Sequence, residues 1–136
     1  MADLGTTDAQ IVEAAQKYLT LQKKANELAS SASDELLSGS SGSVYLKRMG
    51  HRSLTTEDIE RIINTLGSEQ DREFLQAFQR AQESLNLRLV KTNYLRLVLE
   101  QAGIPQDSYY SRRKRPDLWK PEQMITLIEV LQRLRL

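Results

Sequence analysis

Gln101-Ala102-Gly103-Ile104-Pro105-Gln106-Asp107-Ser108-Tyr109-Tyr110-Ser111-Arg112-Arg113-Lys114-Arg115-Pro116 decides how this chain folds. Gly103 reaches the left-handed backbone region without a Cβ clash, so it can end one helix within a single residue. Ile104 supplies an inward apolar anchor. Pro105 has its φ preset for a second helix, running from Pro105 or Gln106 to about Lys114. Pro116 disfavours helical geometry at Arg115 and closes that helix. Upstream, Thr92 can cap a helix whose buried side is Tyr94, Leu95, Val98, Leu99 and Ala102. Downstream, Pro121 and Glu122 open a last helix. Its broad apolar face is Met124, Ile125, Leu127, Ile128, Val130, Leu131 and Leu134, with Leu118 and Trp119 closing the core beneath. Residues at about 93–115 thus have the layout of two short helices around a sharp turn.

Outward from this stretch, two capped helices precede it. Thr55 with Asp58, and Ser68 with Asp71, place an acceptor and an acid three residues apart, the spacing of a capping box with Asp in the Glu position. Ile59, Ile62, Ile63 and Leu66 form one apolar face, and Gly67 offers a left-handed stop. Phe74, Leu75, Phe78, Ala81 and Leu85 form the next, with a bend expected near Asn86. Val44–Arg52 is compatible with a helical turn, a strand or a loop, and its basic end reads as a solvated patch that could touch a phosphate.

Ser38-Gly39-Ser40-Ser41-Gly42-Ser43 has little apolar area to bury and much backbone entropy to lose, so residues 38–43 read as a flexible linker. Before it, a long helix is expected from about Asp8 to about Leu37. Its thin stripe is Ile11, Ala14, Tyr18, Leu21, Ala25, Leu28 and Ala32. Two roles are open to that helix: covering its own domain, or serving as an oligomerisation arm.

The net charge of +1 hides an asymmetry. Residues 1–84 hold nine Lys/Arg against thirteen Asp/Glu, net −4, and residues 85–136 hold ten against five, net +5. A polyanion would therefore meet the C-terminal part. There is no cysteine, which excludes disulfides and thiolate metal sites and makes a reducing, cytoplasmic setting the default expectation. No apolar run approaches the ~20 residues of a membrane span. Met1-Ala2-Asp3-Leu4-Gly5 lacks the basic and apolar regions of a secretory signal. The one histidine, His51, has no carboxylate or nucleophile signature around it, and no phosphate-binding loop, dinucleotide fingerprint or serine elbow occurs. An enzyme is not expected, nor a cofactor, a metal or a small-molecule ligand.

The stretch Leu95–Leu131 resembles the helix-turn-helix of phage-type Cro and repressor-like regulators. The residues that carry the likeness are Gln101–Pro105, Tyr109-Tyr110-Ser111-Arg112, Arg115–Trp119 and Glu122-Gln123-Met124. It covers about a third of the chain and departs from the fuller pattern, which has more helix between its glycine and its recognition helix. The resemblance implies binding to double-stranded DNA through the second helix. The residue chemistry fits beside it. Gln106, Ser108, Tyr109, Tyr110 and Arg112 are the expected base contacts, although one of the two tyrosines can anchor the helix instead. Ser111, Arg113, Lys114, Arg115 and Lys120 are the expected phosphate contacts. Asp107 would face phosphate if exposed, or cap the helix start if turned back.

The expected fold is all-α, with five or six helices. It comprises residues 1–37 as an N-terminal helical arm, residues 38–43 as linker and residues 44–136 as a helical domain. The expected function is transcriptional regulation by a homodimer joined through its N-terminal helices. The alternative is a helical adaptor whose first and last helices dock another protein; structured RNA is a third partner open to a basic helix.

Overall fold

Thr7 opens the first helix with a reciprocal pair of bonds. Its N–H donates to Gln10 Oε1 at 2.9 Å, and its Oγ1 accepts from the Gln10 N–H at 3.2 Å. The computed structural model describes residues 6–136; Met1–Gly5, where signal character was sought, lie outside the described residues. The chain is all-helical. Seven α-helices occur among the described residues: α1 Asp8–Ala29, α2 Ser41–Arg48, α3 Thr56–Leu66, α4 Glu69–Val90, α5 Leu95–Ala102, α6 Gln106–Lys114 and α7 Pro121–Arg133. None is long and apolar enough to cross a membrane. The helix beyond the expected five or six is α2, which occupies the end of the expected linker and part of the stretch left open to a helical turn, a strand or a loop. Contacts divide the chain into two units, Tyr18–Gln76 and Ala77–Leu136 with the described residues up to Lys17.

In the Tyr18–Gln76 unit, α1 stops at Ala29, short of the expected Leu37. The serines beyond it bond the backbone instead of extending the helix: Ser30 Oγ donates to the Glu27 carbonyl at 3.1 Å. The Ser/Gly stretch is not a free linker. Ser40 caps α2 by accepting from the Ser43 N–H at 3.3 Å. The backbone before it is caught by cationic side chains from α2 and α3. Arg48 donates twice to the Ala32 carbonyl, at 2.9 and 2.7 Å, and Arg61 donates to that of Leu36 at 3.2 Å. Lys47 donates to the Ser38 carbonyl at 2.7 Å.

Lys47 therefore belongs to the core and not to a solvated basic patch. Its ammonium is 2.6 Å from Asp58 Oδ2, with the two residues 5% and 0% exposed. Asp58 also accepts from the Thr55 N–H and the Ser38 N–H, at 2.9 and 2.8 Å. The Thr55–Asp58 box forms as the spacing predicts. Gly67 differs from expectation. It is extended, at φ −78°, and a Cβ there would lie 2.6 Å from the Ile63 carbonyl, so the position needs the space and not a left-handed angle. Asp71, almost buried, completes the Ser68 box and pairs with Lys24.

In the other unit, α5 packs on α7, and Val98 and Leu99 of the one and Met124, Leu127 and Ile128 of the other are all buried. Helix α4 continues through Asn86 to Val90 without fraying there. Thr92 does not cap α5. Its Oγ1 donates back to the Arg88 carbonyl at 2.7 Å, and Tyr94 takes the capping position at φ 60° with its side chain exposed, not in the core. Arg88 joins Asp8 at 3.1 Å, Thr92 Oγ1 at 3.1 Å and the Leu136 carbonyl. The apolar stripes that an oligomerisation arm or an adaptor would present are covered within the chain. Ile11, Ala14, Tyr18, Leu21 and Ala25 of α1, and Met124, Leu127, Ile128 and Leu131 of α7, are all buried.

Candidate nucleic-acid interface

Helix α5 ends in a Schellman turn. The Gly103 N–H bonds the Glu100 carbonyl at 3.1 Å and the Ile104 N–H bonds that of Leu99 at 2.9 Å. Gly103 sits at φ 73°, and a Cβ there would meet nothing within 4 Å, so the angle alone demands glycine. Leu99 and Ile104, the apolar pair such a turn brings together, are both buried. Pro105 then precedes α6 in extended geometry, and Gln106 is the first helical residue. Eight residues, a three-residue turn and nine residues make the helix pair that the sequence predicts.

Helix α6 is held from below and at its end. Tyr109 is its one buried residue, 4% exposed, and is therefore the anchor and not a base contact. Tyr110 is the outward partner, 55% exposed, with its ring centroid 5.5 Å from that of Tyr109. The last carbonyls of a helix have no intrahelical donor. Here Asn86 of α4 supplies one, donating to the Arg112 carbonyl at 2.9 Å. The Trp119 indole N–H fixes Asn86 from the other side, donating to its Oδ1 at 2.7 Å. One turn earlier on α4, buried Gln82 donates to the Trp119 carbonyl at 2.9 Å. Sequence reading missed both amides. The available signal was polar residues four apart within the stripe Phe78, Ala81, Leu85 and Leu89, which must find partners once buried. Replacing Asn86 with alanine is expected to destabilise the protein by about 1–3 kcal/mol, because it strands a buried indole N–H and an exposed helix end together. Urea unfolding followed by Trp119 fluorescence measures this, and an unchanged midpoint refutes the pinning role.

The basic run does not present four equivalent cations. Arg112 is half-buried. Its Nε donates to Gln123 Oε1 at 3.1 Å, its Nη1 to the Ser108 carbonyl at 3.2 Å, and its guanidinium carbon lies 5.6 Å from the Trp119 ring centroid. It is committed to the fold and not poised for a base. Arg115 is exposed but paired with Asp117 at 2.7 Å. Arg113 and Lys114 are exposed and make no ion pair among the described residues. Two members of the run are thus turned onto neighbours, which lessens the repulsion among four adjacent cations. Gln106 and Asp107 are exposed on the first turn, Ser108 is half-buried, and Ser111 is exposed with its hydroxyl donating to the Asp107 carbonyl at 3.1 Å. Lys120 is exposed, just before α7. The acid at Asp107 sits where the helix dipole favours it.

What remains facing solvent is one polar surface: Gln106, Asp107, Tyr110 and Ser111 along α6, with Arg113 and Lys114 at its end, so the carboxylate of Asp107 stands near its start and the free cations at its other end. It can donate and accept hydrogen bonds and can hold phosphates. Among the described residues no cluster of His, Asp or Glu could hold a metal ion. No family model, curated protein or solved structure matches the chain.

Proposed function

We propose that this chain binds double-stranded DNA with α6 in the major groove, as a sequence-reading regulator and not as an enzyme. The observation that carries the reading is the division of α6. Tyr109, Arg112 and the helix end are locked to the protein, while Gln106, Asp107, Tyr110, Ser111, Arg113 and Lys114 are left outward. A reading helix needs this division, because base recognition requires donors held on a rigid backbone. Gln106 is the base-reading residue, able to pair with an adenine edge through two hydrogen bonds. Arg113, Lys114 and Lys120 clamp phosphates.

The test is fluorescence anisotropy with labelled duplexes selected by the protein from a random pool, titrated across salt. Affinity should fall linearly in log–log terms with a slope of about −2 to −3, as expected for two or three phosphate contacts. Gln106→Ala should leave binding to unselected DNA unchanged. It should also flatten the preference at one base position by about 10–100-fold, the usual worth of a bidentate base contact. Salt-insensitive binding, or no enrichment of any sequence, refutes the reading.

A further inference from the structure

Large apolar side chains stand in water around the turn from α4 to α5. Leu87 is 62% exposed, Val90 53%, Tyr94 73% and Leu97 42%. Leu87 and Val90 share the outward side of the last turns of α4, and Tyr94 and Leu97 open α5. Tyr94 is held outward by a left-handed backbone that non-glycine residues rarely adopt. The backbone there turns the chain into α5, the Tyr94 carbonyl accepting from the Val98 N–H at 3.1 Å, and leaves the aromatic ring in solvent.

The charges flanking this surface complement themselves. Glu83 lies four residues before Leu87 and Lys91 four residues after, and both are exposed. Placing a second copy of α4 antiparallel across Leu87 brings Glu83 of each copy against Lys91 of the other, twice, with the leucines between. A two-fold interface requires such a self-complementary patch. The arrangement has apolar and aromatic anchors in the middle and opposite charges at the rim. We propose that the α4–α5 surface is a homodimer interface, with a second copy of this chain as its occupant. The α1 stripe, buried at Ile11, Ala14, Tyr18, Leu21 and Ala25, offers a second copy less apolar surface than this face does.

The inference does not rest on DNA binding, and its readout uses no DNA. Sedimentation velocity on the full chain, from about 1 to 100 μM, should show a reversible dimer with a Kd in the micromolar range. Leu87→Asp should weaken it at least about 30-fold, as for a central anchor, while circular dichroism stays unchanged. Glu83→Lys alone, or Lys91→Glu alone, should weaken the dimer about tenfold by setting like charges together, and the two combined should restore it to within about threefold. A monomer throughout, a dimer indifferent to Leu87→Asp, or single reversals that the double does not rescue would each overturn the proposal.

Discussion

Asp58→Ala is expected to cost about 4 kcal/mol, within the range for removing one member of a buried ion pair. The carboxylate is fully buried and accepts five bonds: Lys47 and the Thr55 N–H on Oδ2, and the Ser38 N–H, the Ser38 hydroxyl and Arg61 on Oδ1. The alanine variant keeps the Thr55 cap but loses its reciprocal half, the bond from the Thr55 N–H, and leaves the Lys47 ammonium buried beside only Ser38. The midpoint of thermal unfolding should fall by about 10–15 °C for a chain of this size. Lys47→Met combined with Asp58→Leu should cost less than Asp58→Ala alone, since no uncompensated charge then remains inside. Chemical denaturation of the three proteins checks this. A loss below about 1 kcal/mol for the single variant, or a double variant worse than the single, contradicts the lock.

The same carboxylate gives the protein an acid sensitivity of known sign. Burial alone would push the Asp58 carboxyl up. The Lys47 ammonium and the N–H donors of Thr55 and Ser38 outweigh burial and hold it well below the usual carboxylate range. A depressed folded value means the stabilisation is complete above the unfolded value of about 3.9. It is lost progressively as pH falls from there through the folded value. Asp71 works in the same direction through Lys24 and Ser68. Asp58→Ala should therefore show a flatter dependence of stability on pH below about 4 than the parent.

The legible parts of this fold are those whose causes are local. The Thr55–Asp58 and Ser68–Asp71 boxes, the Gly103 stop and the Pro121 start each depend on residues within one turn, and each forms where the spacing places it. Residues 30–43 depart from the expected helix end and free linker because their order comes from a distance. A Ser/Gly stretch has no burial of its own to offset its entropy, but Lys47, Arg48, Arg61 and Asp58 bond its backbone and side chains. Nothing in its composition reports those partners. The site divides in the same way. That α6 exists and ends in cations is plain from Pro105, Pro116 and the basic run. Which tyrosine anchors it, and that Arg112 faces Gln123 and Trp119, depend on how α6 meets the rest of its unit, which periodicity in a nine-residue polar helix does not resolve.

Replacing Arg113 and Lys114 together by alanine should reduce affinity for every duplex by about 60-fold at ~0.1 M salt. The figure follows from counterion release. Each phosphate contact frees about 0.9 of a condensed cation, worth about 1.2 kcal/mol at that concentration, and two contacts give about 2.4 kcal/mol. The salt slope should shrink by about 2 in the same variant. Stability should change by no more than about 1 kcal/mol, since both side chains are exposed and contribute to the fold only through the α6 dipole. Arg112→Ala is the informative contrast. It leaves the salt slope nearly intact and lowers the unfolding midpoint instead, because that guanidinium bonds Gln123 and the Ser108 carbonyl rather than an outside anion. A double variant that binds DNA with unchanged salt dependence would remove α6 as the phosphate-holding helix, and an Arg112 variant with a reduced slope would show that its intramolecular bonds yield to the nucleic acid. The two measurements thus separate cations that face outward from a cation that builds the surface they stand on.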